Sequence, residues 1–262
     1  MPSVARTHAQ IFQRKPITFP RPAVLPPALC ARFEQTLRLL QGQHPVDGEA
    51  ISARPAVDFD GLTHELSGHF LQRNRVDYKA RSHLEEPVAR EISAAQWTRA
   101  LSGDDNFIEF VEQINLRCCP RPPHGRRLSD IQLNADALGA TVRFCSPQQA
   151  ARQLCALRQV LQRPAIRSLY GVMAILVAVT NAHYFMDGNG RTSRVLMNAY
   201  CAWRFPLLSY IPFSEIFSKS SGGYEIRLRQ AEIHGDWLPL AAYLSDCVAL
   251  VAEMQTGSEP VR

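Results

Sequence analysis

A mainly α protein with one small β-hairpin is predicted by three observations. Apolar side chains recur at three- and four-residue intervals over most of the chain, one short segment has strand composition, and prolines mark the breaks. Residues 1–27 carry Pro2, Pro16, Pro20, Pro22, Pro26 and Pro27; proline withholds a backbone donor and fixes φ, so an extended or flexible leader is expected. Leu29, Phe33, Leu37 and Leu40 then predict a helix over 28–40, with Gly42 as its stop. Pro45, Gly48, Pro55 and Gly61 mark residues 43–61 as a loop. Helices are expected around 62–71, 87–101 and 107–117, ahead of a break at Pro120, Pro122 and Pro123. The strand signal is Ala140 to Phe144, where Thr141, Val142 and Phe144 favour extended backbone. Further helices are expected over 148–161, 166–182, 192–203, 224–233 and 238–251.

Composition narrows the class. At 262 residues with 46% hydrophobic and 20% charged side chains, the chain can bury a sizeable core, which excludes disordered and fibrous classes. The formal net charge is +5, but the arginines are scattered and no long basic run occurs, so no nucleic-acid partner is expected. Seven cysteines, an odd number without metal-type spacing, read as reduced core residues of a protein in a reducing compartment. The start lacks the continuous apolar segment of a secretory signal. The longest apolar run, 169–182, is too short and too interrupted for a membrane span.

The chemistry concentrates where this apolar run ends. His183 follows it directly, and Gly188-Asn189-Gly190 opens the next helix after a short loop. A helix N-terminus leaves unpaired N–H groups and a partial positive charge, which together favour phosphate. Gly188 and Gly190 let backbone approach an anion, while Arg191 and Arg194, three apart on one helix, both reach toward a polyphosphate. Asp187 offers a hard oxygen ligand for Mg²⁺, and His183 takes a proton near neutral pH.

This segment, His183-Tyr184-Phe185-Met186-Asp187-Gly188-Asn189-Gly190-Arg191-Thr192-Ser193-Arg194, resembles the Fic motif, His-x-Phe-x-Asp/Glu-Gly-Asn-Gly-Arg-x-x-Arg. The resemblance implies a Fic-type helical bundle with a hairpin flap, and transfer of AMP from ATP onto a Ser, Thr or Tyr hydroxyl of a target protein. By that resemblance His183 is the general base and Asp187 holds Mg²⁺. Asn189 with the Gly188 and Gly190 amides stabilises the α-phosphate, Arg191 and Arg194 neutralise the β- and γ-phosphates, and Phe185 anchors the loop. Thr141, Val142, Arg143 and Phe144 resemble the flap that docks the target by strand addition. Tyr224 and Gly235-Asp236-Trp237 resemble the nucleobase side. The organisation implied is a leader (1–27), an N-terminal helical region (28–106), a Fic catalytic core (107–252) and a tail (253–262).

Tyr184 departs from the pattern, standing where many Fic proteins have proline, and predicts altered loop rigidity. Many family members are restrained by a helix bearing Ser/Thr-x-x-x-Glu-Gly/Asn. Here Ser82 to Glu86 has that spacing, which makes Glu86 the candidate inhibitory residue, although Pro87 follows it and disfavours a continued helix. Without such a glutamate the alternatives are constitutive activity, a separate regulator, or targets supplied only in a controlled setting, as for a delivered bacterial effector; the expected location is cytoplasmic, or a host cytosol if the protein is delivered as an effector. Transfer of UMP or phosphocholine, and a catalytically weak nucleotide-binding module, stand as alternative functions.

Overall fold

The protein is described by a computed structural model over residues 11–53, 82–123, 125–133, 141–164, 166–220 and 223–256. The helix expected over 62–71 lies outside these residues. In chain order the elements are β1 (Ile11–Gln13), a 3₁₀ turn (Pro22–Val24), α1 (Pro27–Leu39), α2 (Gly48–Ser52), α3 (Ser82–Arg90), α4 (Ala94–Leu101) and α5 (Asp104–Cys118). There follow β2 (Thr141–Arg143), α6 (Pro147–Leu161), α7 (Ser168–Ala182), α8 (Asn189–Arg204), α9 (Phe213–Lys219), α10 (Gly223–Arg229), a π-helical turn (Gln230–His234) and α11 (Leu238–Thr256).

The fold is organised around α7. Its residues are apolar on every side and all but Thr180 are buried, as expected of a helix surrounded by others. It packs against α8, α6, α1 and α11. One continuous core runs from Leu25 through Trp97 and Phe107 to Ala252, crossing the position where the helical region was expected to give way to the catalytic core.

Four expectations need correction. The helix expected over 87–101 is two helices, because the Ser93 hydroxyl caps the Gln96 N–H, and the Gln96 side chain returns the bond to the Ser93 N–H. Pro87 does not end a helix; it sits inside α3. A proline there typically costs about 3 kcal/mol or more, but Ser82, Glu85, Val88 and Ala89 form a buried stripe that holds the turn on both sides of it. The expected loop over 43–61 contains α2, started by the Asp47 side chain accepting from the Glu49 N–H (2.9 Å).

The leader is the largest correction. From Ile11 onward it is fastened to the core by buried side chains. Asn181 donates to the Lys15 carbonyl (2.9 Å), Gln153 accepts from the Ile17 N–H (3.0 Å) and the Tyr170 hydroxyl donates to the Pro20 carbonyl (2.5 Å). Its prolines permit an extended path; those three partners fix it. The path ends in a strand, β1, running parallel to β2 with Ile11 opposite Thr141 and Gln13 opposite Arg143. At the flap, residues 131–133 lie antiparallel to β2, since the Leu133 N–H donates to the Val142 carbonyl (2.8 Å) and the Phe144 N–H to the Ile131 carbonyl (3.1 Å); the turn of the expected hairpin lies outside the described residues. Strand β2 therefore has chain on both edges.

Candidate active site

α7 ends on His183, whose backbone is left-handed (φ 45°), which turns the chain out of the helix into the loop 183–188. The imidazole stacks on the Phe144 ring at 4.0 Å between centroids, so a flap residue forms one wall of its environment. Burial is the main cause that pushes the His183 pKa down, to about 4. The Arg127 cation adds to the effect, while a hydrogen bond with the Thr180 backbone and the Asp187 charge oppose it. The neutral imidazole, able to accept a proton, is thus the form held at physiological pH.

Arg127, which sequence reasoning missed, fixes that geometry. It is buried, and its Nε donates to the His183 carbonyl (2.7 Å), Nη2 to the Ala182 and Cys145 carbonyls, and Nη1 to the Ser129 carbonyl (3.1 Å). One guanidinium thus satisfies the carbonyls at the end of α7 and ties them to the base of the flap. Asn115 does the same for the other end of the loop. It donates to the Asp187 carbonyl (2.9 Å) and to the Thr192 hydroxyl (3.0 Å), and accepts from the Gly125 N–H (3.3 Å). Neither Arg127 nor Asn115 belongs to a local motif, so neither role shows in the sequence pattern.

The motif residues fall into two groups. Gly188, with φ 80°, caps α8, and a β-carbon there would lie 1.9 Å from the Cys119 sulfur, so only glycine fits. Gly190 lies in the first turn, with Arg191 and Arg194 following on the same helix. Asp187 is half-exposed, one oxygen accepting from the Gly188 N–H (2.6 Å) and the other from Arg191 (2.6 Å). Asn189 behaves differently from expectation. Its amide is buried and committed at both ends to Phe185, accepting from its N–H (3.0 Å) and donating to its carbonyl (2.9 Å). The side chain expected on a phosphate instead holds the loop, and the fully buried Phe185 ring anchors it. Tyr184 substitutes a tether for proline's stiffness: its hydroxyl donates to Glu112 on α5 (2.8 Å).

Arg194 is held by a carboxylate, but not by the one expected. Glu85 receives its Nε (3.0 and 3.2 Å) and its Nη2 (2.6 Å), with the Glu85 side chain fully buried. Glu86 lies one residue on, rotated by about 100° around the helix, and pairs at the surface with Arg90. The expected serine is likewise not a partner of Arg194: Ser82 donates its N–H to Glu215 (3.1 Å) and its hydroxyl to the same carboxylate.

A single cavity of about 410 Å³ gathers these groups. His183, Asp187, Gly188, Asn189, Gly190, Arg191 and Arg194 line it, together with Phe144 of the flap and the expected Tyr224. Thr141, Val142 and Arg143 do not line it; they carry the strand that brings Phe144 to it. Trp237 is buried against Tyr170, away from the lining. Glu225, Leu228, Arg229 and Arg14 line the cavity unforeseen. Arg14 lies over the Phe144 ring (4.8 Å) and bonds Glu232 (3.0 Å), so the leader reaches the cavity rim. Among the described residues no cluster of three or more His, Cys, Asp or Glu could hold a metal. The half-exposed Asp187 carboxylate on the wall suits a cation such as Mg²⁺ that binds through one carboxylate plus substrate phosphates. No helix of the described residues is long and apolar enough to cross a membrane.

Residues 122–201 match the model of the Fic/DOC family. A Fic family protein from Desulfovibrio desulfuricans superposes with a TM-score of 0.56 at 14% identity, covering 94% of this chain and 77% of its own. A Fic domain containing signaling protein from Bacteroides thetaiotaomicron gives 0.46 at 16% identity over 90% and 92% of the two chains. Fic-1 from C. elegans (aa134 - 508) gives 0.48 at 17% identity over 89% and 67%. No curated protein sequence matches.

Proposed function

We propose that this chain transfers AMP from ATP to a protein hydroxyl, a reading supported by the match of residues 122–201 to the model of the Fic/DOC family, known for moving nucleotide or other phosphate-containing groups onto proteins. The observation that carries the reading is convergence: a neutral, half-buried histidine, the Asp187 carboxylate and a helix N-terminus with two arginines share one cavity. In the proposed step the target oxygen attacks the α-phosphorus while His183 takes its proton, and the bond from that phosphorus to the pyrophosphate oxygen breaks. The pyrophosphate leaves against Arg191, Arg194 and the α8 N-terminus, which stabilise its charge. Asp187 would hold Mg²⁺, which neutralises phosphate charge when bound. The Glu85 contact with Arg194 is the restraint in this reading, since a guanidinium engaged by a buried carboxylate cannot at the same time receive the γ-phosphate.

Incubating the chain with α-labelled nucleotides tests the reading. Label should enter protein from ATP and fall by at least a hundredfold in Asp187→Ala; nucleotide binding without transfer would instead identify a binding module. Target docking has its own check. A target that adds a strand at β2 takes the edge now paired with Ile11–Gln13. Arg14→Pro removes the Arg14 N–H that bonds the Arg143 carbonyl (2.8 Å) and the guanidinium above Phe144. Target labelling is expected to rise several-fold in this variant; unchanged labelling would place docking elsewhere.

A further inference from the structure

Two carboxylates are exchanged between α3 and the helices it packs on. Glu85 leaves α3 to hold Arg194 on α8, and Glu215 leaves α9 to hold α3, accepting from both the N–H (3.1 Å) and the hydroxyl of Ser82. All four side chains are buried. The two contacts meet at the buried Tyr210 hydroxyl, which lies 3.4 Å from the Ser82 oxygen and 3.4 Å from a Glu85 oxygen.

The frame that carries Glu215 is itself fixed to α8. Asn198, one turn beyond Arg194, donates to the Ile211 carbonyl (3.0 Å) and accepts from the Ile211 N–H (2.8 Å), which pins the chain between Tyr210 and the start of α9. On the far side Gly48 of α2 closes over the Glu215 carboxylate, so tightly that a β-carbon there would lie 3.2 Å from its carbon. Helix α3 has much to gain from such an anchor. Pro87 removes one of its backbone hydrogen bonds, and a short helix interrupted in this way is marginal without tertiary contacts. Ser82 and Glu85 stand three apart on one face, so whatever fixes Ser82 also fixes the direction of Glu85.

We propose that Glu215 is a positioning residue of the restraint: by holding Ser82 it keeps α3 in the rotation that puts Glu85 on Arg194, and thereby sets the fraction of molecules open to a nucleoside triphosphate. The proposal rests on reading Glu85 as the restraint on a nucleotide site. It separates the group that blocks Arg194 from the group that keeps the block in place.

The test measures the ATP dissociation constant with Mg²⁺, and amide hydrogen exchange over residues 82–90, on the full chain carrying Glu215→Ala, Glu85→Ala or both. Glu215→Ala should tighten ATP by about fivefold or more and speed exchange in α3. In the Glu85→Ala background the same substitution should change ATP affinity by less than about twofold, because the carboxylate it acts through is gone. A merely structural role would weaken ATP binding, and would do so in both backgrounds. Ser82→Ala removes the hydroxyl and keeps the N–H bond; it should shift both measurements in the same direction by less, and it carries the comparison if Glu215→Ala does not fold. The assignment is overturned if ATP affinity or α3 exchange is unchanged, or if affinity shifts equally with and without Glu85. If Glu85→Ala itself fails to tighten ATP, the restraint reading falls and the role of Glu215 with it; if Glu85→Ala tightens ATP and Glu215→Ala does not, the Glu215 assignment falls alone.

Discussion

Replacing Glu85 by alanine should raise nucleotidyl transfer tenfold or more, while Glu86→Ala should leave it unchanged. The two glutamates are adjacent in sequence but opposite in circumstance. Glu85 is fully buried and bidentate on Arg194, and Glu86 makes a surface pair with Arg90 four residues on, of a kind worth only about 0.3–0.5 kcal/mol. Removing one partner of a buried pair typically costs about 3–5 kcal/mol because the other charge is left uncompensated. Arg194 lines the cavity, however, so a bound phosphate can replace the lost carboxylate. Two measurements should therefore move in opposite directions. The melting temperature of Glu85→Ala should fall by several degrees without nucleotide, and ATP with Mg²⁺ should restore more of it than in the parent chain. Equal transfer rates for the parent and Glu85→Ala would remove the restraint from the picture, and activation by Glu86→Ala would reverse the helix register.

His183→Ala should abolish transfer, by roughly a thousandfold given the usual 10²–10⁴ contribution of a positioned general base. Nucleotide affinity should stay within about threefold, since the anion groups belong to α8 and the loop rather than to the imidazole. The wild-type pH profile carries an independent signature. With its pKa lowered to about 4 by burial, His183 is neutral and competent at every pH above that value, and is lost as base only as pH falls through it. The rate should therefore show no acid limb near 6.5, the ordinary histidine value. A limb at 6–7 in single-turnover measurements would mean that the imidazole is hydrated in the working state. Transfer that survives His183→Ala would assign the base elsewhere.

What could be read from the sequence was what is local. The sequence from His183 to Arg194 holds a helix end, a tight loop and a helix start in consecutive residues, so its spacing alone positions His183 against the N-terminus of α8. The helical class was legible for the same reason: periodicity of three to four residues is a property of short windows. Contacts between distant segments left no such trace. Glu85 and Arg194 are 109 residues apart, and Arg14 and Glu232 are 218 apart. The serine-to-glutamate spacing selected Glu86, but packing of Ser82, Glu85 and Ala89 against the core set the helix rotation. Proline count made the leader look unstructured because proline reports what backbone bonding is lost, while the side-chain donors and acceptors that hold the leader lie on α6 and α7. The Asn189 amide could face either a phosphate or the loop, and only the folded loop decides between them.

The Glu85 contact with Arg194 also sets a concentration scale. In the proposed function the γ-phosphate would compete with the carboxylate for this guanidinium, and the carboxylate is supplied by the chain itself, at a fixed local concentration that dilution does not alter. Apparent nucleotide affinity is then the intrinsic affinity reduced by the fraction of molecules in which α3 has released Arg194. A fraction of about 1% would raise the apparent dissociation constant by about a hundredfold. Any partner that binds α3 and draws Glu85 aside would act as a sensitiser, lowering the nucleotide level at which the proposed transfer switches on without touching His183 or Asp187.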